Sequence, residues 1–116
     1  MSAKVVFHID WEKEERLVMA LNNITNLLKA VSPEEAAVYV LANGAAVKLF
    51  QRESAFQYAP DIQRLFQQGV RFLICSNSLN NFGILREDLL GPCEAIDAGI
   101  VELIRLQAEG YAYIKP

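Results

Sequence analysis

Five short apolar runs alternate with amphipathic stretches along the chain, and this alternation limits the possible folds more than any other feature. Val5-Val6-Phe7-His8-Ile9, Ala36-Ala37-Val38-Tyr39-Val40-Leu41-Ala42 and Val70-Arg71-Phe72-Leu73-Ile74-Cys75 are rich in β-branched and aromatic residues. Runs this short and this apolar read as strands covered on both faces. Cys93-Glu94-Ala95-Ile96-Asp97 is a weaker fourth strand, and Tyr111-Ala112-Tyr113-Ile114 a fifth. Between them lie helical patterns. Leu17, Ala20, Leu21, Ile24, Leu27, Leu28 and Val31 form one apolar stripe; Ile62, Leu65 and Phe66 form a second. Ile100, Val101, Leu103, Ile104 and Leu106 form a third. Strands that alternate with helices call for a mainly parallel sheet with helices on both faces, joined by right-handed crossovers.

The punctuation fits that reading. Asp10 is placed to cap the first helix, and Ser32-Pro33 ends it. Asn43-Gly44 turns the second strand into a short helix over 45–50. Pro60-Asp61 starts a helix that stops at Gly69. Residues 78–82 read as a short helix stopped by Gly83, 86–90 as one more helical turn, and Gly110 closes the last helix.

Bulk composition narrows the function classes. The chain has 116 residues, 53% hydrophobic and 22% charged, which suits one globular domain over 1–116. No apolar run approaches the roughly 20 residues that span a bilayer. Met1-Ser2-Ala3-Lys4 leads straight into a strand with no signal-peptide pattern, so the expectation is cytoplasmic, with no membrane partner. A net charge of −3 argues against broad phosphate-backbone binding, and no nucleic-acid partner is expected. Two cysteines and one histidine match no zinc spacing. The glycines form neither a dinucleotide nor a Walker pattern, so no cofactor is expected.

The chemistry concentrates at Cys75, which ends a strand just before Ser76-Asn77-Ser78. The carboxyl ends of parallel strands are where ligands gather. A cysteine facing the N–H groups of a helix start is favoured as thiolate, the reactive form. Two readings stand: a nucleophilic or sulfur-carrying thiol, or a small buried apolar side chain.

The chain resembles the DsrE/DsrF-like family of small sulfur-relay proteins over nearly its full length. The resemblance rests on Val5-Val6-Phe7-His8-Ile9-Asp10, Leu21-Asn22-Asn23, Ala42-Asn43-Gly44, Gly69-Val70-Arg71-Phe72 through Cys75, and Ala98-Gly99-Ile100-Val101-Glu102-Leu103. The closing Glu109-Gly110-Tyr111-Ala112-Tyr113-Ile114-Lys115-Pro116 is especially similar to the small single-domain branch. The resemblance implies a three-layer α/β/α sandwich with a five-stranded parallel sheet in the order 4-3-2-1-5. It implies a homotrimer or homohexamer, and a cysteine, here Cys75, that carries a persulfide between donor and acceptor proteins. Members of this branch often have basic residues after that cysteine. Leu79-Asn80-Asn81-Phe82-Gly83 has none.

Around Cys75, Asn43 and Gly44 end the neighbouring strand, where Asn43 either lines the pocket or only makes the turn. Asn77 and Ser78 either cap the short helix or donate to a bound anion. His8 is placed near the end of the first strand, with the second strand between it and Cys75. It is a base or anion ligand at a distance, or a histidine satisfied by a structural partner. Cys93, beside Gly91-Pro92, is an incidental residue or a resolving thiol for Cys75. Asn22, Asn23 and Asn26 fit a solvated or subunit-facing surface, and Trp11, Phe56 and Tyr58 an interface or the core edge. The expected activity is that of a sulfur carrier or transferase. The other class is a non-catalytic oligomeric module for a small anionic ligand, with Cys75 inert.

Overall fold

The computed structural model describes residues 2–116. Five strands, β1 (Ala3–Ile9), β2 (Ala36–Ala42), β3 (Arg71–Cys75), β4 (Cys93–Ile96) and β5 (Ala112–Ile114), form one all-parallel sheet. Its order is β4-β3-β2-β1-β5. The three strongest apolar runs occupy the centre, where both faces are covered, and the two weaker ones form the edges. Helices α1 (Glu14–Ala30), α2 (Ala59–Gln67), α3 (Ser76–Asn81) and α4 (Gly99–Ala108) connect them, with a 3₁₀ helix over Gly44–Phe50 after β2. The expected three-layer α/β/α architecture is the one observed.

The two faces are unequally covered. On one, Phe7, Val40, Phe72 and Ile74 pack with Leu17 and Ile24 of α1, Ile62 and Leu65 of α2, and Phe50. On the other, Val6, Leu41 and Leu73 meet Leu103 and Leu106 of α4. The chain steps from β1 to β4 along the first face, then crosses back under α4 to place β5 beside β1.

Side chains alternate across a strand, so the α4 face carries every second residue. Parallel register brings Val6 beside Tyr39 and Tyr113, His8 beside Leu41, and Leu41 beside Leu73. Near the amino ends of the strands this face is polar and self-satisfied. Arg71 donates to both Glu94 carboxylate oxygens, at 2.8 and 2.9 Å, and to the Tyr39 hydroxyl at 3.0 Å. At the carboxyl ends, His8, Asn43 and Cys75 come to the same face.

Several local expectations change. Asp10 does not cap α1, which starts four residues later with Lys13 at the N-cap and no side-chain cap bond. The Asp10 carboxylate pairs with Lys115 instead. Burial pushes its pKa up, but the Lys115 hydrogen bond and charge outweigh that, and the net shift is downward. Asn77 and Ser78 do not cap α3 either: the helix begins at Ser76, and Cys75 itself is the N-cap. Only part of the α4 stripe faces the sheet. Ile100, Val101 and Ile104 are 60%, 63% and 62% exposed.

Candidate functional site

Cys75 ends β3 in extended conformation, and the chain turns into α3 at the next residue. The Cys75 side chain faces α4, and the Gly99 N–H donates to Sγ at 3.3 Å. The Ser78 hydroxyl and the backbone N–H groups of Asn77 and Ser78 also lower its pKa. Burial alone would push the thiol pKa up, and the residue is only 5% exposed. The donors more than offset this, so the pKa lies below the ordinary cysteine value. Uncharged groups of Ser78, Gly99 and Asn77 lower the thiol pKa, which suits a segment without lysine or arginine.

The surrounding residues fix those donors. The Gly44 N–H donates to Ser78 Oγ at 2.8 Å, leaving the Ser78 hydrogen for sulfur. Gly44 has φ +58°, and a Cβ there would stand 3.1 Å from the Asp10 carbonyl oxygen, so glycine meets both demands of this turn. Gly99 is needed for room. A Cβ on it would lie 3.2 Å from Asn43 Cβ, 3.2 Å from Leu41 Cδ2 and 3.3 Å from Cys75 Cβ. These contacts are tighter than ordinary Cβ contacts, so a side chain there would press on Asn43, Leu41 and Cys75.

Asn43 stands beside Cys75 across this gap and faces His8 on the other side. His8 Nε2 lies 2.8 Å from Asn43 Oδ1, and His8 Nδ1 lies 2.6 Å from the Tyr113 hydroxyl. Both ring nitrogens of His8 are thereby engaged, one by Asn43 and one by Tyr113. Histidine therefore reaches the site through Asn43, although β2 separates β1 from β3.

Of the residues expected at the site, Cys75, Asn43, Gly44, Ser78 and His8 are brought together. Asn77 contributes its backbone N–H, and its side chain is exposed. Gly99 and Tyr113 were not singled out for the site. A glycine at a helix start that follows a strand, and a tyrosine two places after another in a short strand, were the available signals. Cys93 is remote. It pairs with Phe72, three residues before Cys75, which sets the two cysteines about 10 Å apart along the strands. Cys93 packs into the core on the opposite face, so a disulfide, which needs Cα atoms within about 7 Å, is excluded. Burial pushes the Cys93 thiol up to about 12. Trp11 and Phe56 are exposed, Tyr58 bonds Glu14, and Asn22, Asn23 and Asn26 lie on the solvent side of α1.

An open depression of about 440 Å³, lined by Ile96, Asp97, Ala98, Val101 and Glu102, adjoins the site, since Ile96 pairs with Cys75. A larger groove of about 550 Å³ involves Lys4, Asn23, Asn26 and Ile114 and touches none of these site residues. Among the described residues, no cluster of His, Cys, Asp or Glu could hold a metal ion, and no helix is long and apolar enough to cross a membrane.

This cysteine-ended third strand lies in a chain matched over residues 4–116 by the model of the DsrE/DsrF-like family. The chain belongs to the DsrE/DsrF-like family. A protein of unknown function from Methanobacterium thermoautotrophicum has a similar structure, at 36% identity and a TM-score of 0.90 over 99% of this chain and 100% of that one. The ychN protein from E. coli shares the fold at 18% identity and a TM-score of 0.82, over 98% of this chain and 99% of that one. A conserved protein of unknown function from Bacteroides thetaiotaomicron shares it at 20% and 0.69, over 97% and 94%. No curated protein matches the chain. Membership in the DsrE/DsrF-like family points to sulfur relay in general.

Proposed function

We propose that this DsrE/DsrF-like protein is a cytoplasmic sulfur carrier in which Cys75 holds sulfane sulfur as a persulfide and passes it to a partner thiol. The observation that carries the reading is the Gly99 N–H donating to Sγ at 3.3 Å at the carboxyl end of β3, where Ser78 and Asn77 also lower the thiol pKa. The Cys75 thiolate attacks the outer sulfur of a donor persulfide, R–S–SH. A bond forms between Sγ and that sulfur while the donor S–S bond breaks, and the donor leaves as R–S⁻. The transferred sulfur keeps its proton, and no oxidant is consumed. Delivery to an acceptor is the same exchange, with the acceptor thiolate attacking the sulfur carried on Cys75.

A homotrimer or homohexamer is part of the proposal. The exposed ridge of Ile100, Val101 and Ile104 on α4 supports it, because a second apolar face on an amphipathic helix suits a subunit contact. Intact-protein mass spectrometry after exposure to polysulfide tests the carrier reading. The expected result is a gain of sulfur mass, removed by reductant, present in wild type and Cys93→Ser and absent in Cys75→Ser. No adduct, or one that follows Cys93, would overturn it.

One observation favours a second reading, a non-catalytic module for a small anion with Cys75 inert: the cysteine is 5% exposed. Alkylation separates the two. A carrier reacts with a small thiol reagent while folded, whereas an inert Cys75 reacts only on unfolding.

A further inference from the structure

The depression beside Cys75 is lined by charge of one sign. Ile96 is the register partner of Cys75, and β4 ends there. Asp97 and Ala98 then lead directly to Gly99, whose N–H donates to Sγ. Neighbouring strands lie about 4.8 Å apart and one residue adds about 3.3 Å along a strand, which sets the Asp97 backbone about 6 Å from that of Cys75. Asp97 and Glu102 are the charged residues of the lining, and no lysine or arginine joins them. The two carboxylates differ. Glu102 accepts from Arg105, which also binds Glu109. Asp97 is exposed, and its carboxylate has no hydrogen-bond or ion-pair partner among the described residues. Arg105 is thus one cation against three carboxylates. The groups that lower the Cys75 pKa are themselves uncharged, so no cation at the sulfur offsets Asp97.

We propose that Asp97 selects the sulfur donor by charge: Cys75 takes sulfur from a persulfide R–S–SH whose R group carries an ammonium, in preference to inorganic sulfur anions. The inference rests on the carrier reading and names its donor class. The Cys75 thiolate attacks the outer sulfur, the new S–S bond forms on Sγ, and the donor S–S bond breaks. R–S⁻ leaves with its ammonium near the Asp97 carboxylate. An anionic donor is repelled twice, by the thiolate and by Asp97. Polysulfide therefore loads the same thiol more slowly.

Charged disulfides test this on a Cys93→Ser background, where Cys75 is the one thiol. The probes are cystamine, which is cationic, 2-hydroxyethyl disulfide, which is neutral, and dithiodiglycolate, which is anionic. In each case Cys75 attacks one sulfur, forms a mixed disulfide and expels the other half as thiolate, and intact mass reads the rate. Rates are taken at one protein concentration and divided by those of the urea-unfolded protein. The folded protein is expected to favour cystamine over the neutral probe by about two- to fivefold and to disfavour dithiodiglycolate by a similar factor, as for unit charges about 6–10 Å apart near a surface. Asp97→Asn should abolish the order and Asp97→Lys reverse it, while the neutral probe keeps its rate; a loosened site would move all three. Salt near 1 M should flatten the wild-type order, which keeps the test decisive without any variant. Lysine-flanked and glutamate-flanked cysteine peptides, each oxidised to its disulfide, distinguish the sources. A preference for the lysine peptide larger than that for cystamine assigns a protein-borne donor, and an equal one a free aminothiol. Equal relative rates for the three probes, or an order that survives Asp97→Asn, would overturn the selection by Asp97 and leave the carrier reading intact. A Cys75 that follows the charge order yet takes no sulfur from cysteamine persulfide or polysulfide would overturn the carrier reading, and with it the donor class.

Discussion

At the scale of single residues, the site works by subtraction as much as by supply. Gly99 contributes an N–H to Cys75 and the absence of a Cβ to everything around it. Gly99→Ala is expected to destabilise the protein by about 1–3 kcal/mol, the usual cost of overpacking, against a smaller helix-propensity gain. Leu41 can yield, but Asn43 and Cys75 are held by strand ends. Denaturant unfolding checks this, with an unchanged or raised midpoint as the contrary result. Ser78 makes the second contribution. Its hydroxyl lowers the Cys75 pKa against the upward push of burial. Ser78→Ala therefore raises that pKa and leaves less thiolate at neutral pH. Alkylation at pH 7 should fall by a few-fold to about tenfold, one pKa unit being tenfold in thiolate, and should recover as the pH rises. A fall that persists at high pH would mean that the site itself had been damaged. Of these residues, Cys75, Asn43, Gly44 and Ser78 were legible because strand ends and turn signals are local. Tyr113 and Gly99 were not, because their partners lie on other elements.

At the scale of elements, strand position explains which segments were legible. β1, β2 and β3 are buried on both faces, so their sequences are nearly unbroken apolar runs. β4 and β5 lie at the edges, half-buried and exposed respectively, and their patterns are correspondingly weak. α4 shows where periodicity misleads. Its apolar residues wrap two sides of the helix, and only Leu103 and Leu106 reach the sheet core. Those two fix α4, and with it the Gly99 N–H over Cys75. Leu103→Ala is expected to cost about 2–5 kcal/mol, as for other buried leucines. It should also slow Cys75 alkylation at neutral pH by loosening that donor. Paired unfolding and alkylation measurements check the coupling; a stability loss with unchanged alkylation would show that Gly99 is held by other contacts.

For the whole molecule, one helix covers the α4 face while three helices and a 3₁₀ segment cover the other, and the apolar ridge of Ile100, Val101 and Ile104 is left on the surface. If that ridge is the subunit contact, Ile100→Glu combined with Ile104→Glu gives a folded monomer, because a carboxylate at each position makes the contact costly to desolvate. Light scattering coupled to size exclusion reads the result, and an unchanged oligomer would place the contact elsewhere. The sequence by itself determined the order of strands and helices, the parallel architecture and the cysteine at a strand end, because burial and turn chemistry leave local periodic marks. Only the tertiary structure decided that His8 meets Asn43 and Tyr113, that Cys93 lies beyond disulfide reach on the opposite face, and that Gly99 meets Cys75. Those facts depend on which strands are neighbours and which face each residue takes, and the residues involved lie as far apart in the chain as His8 and Tyr113.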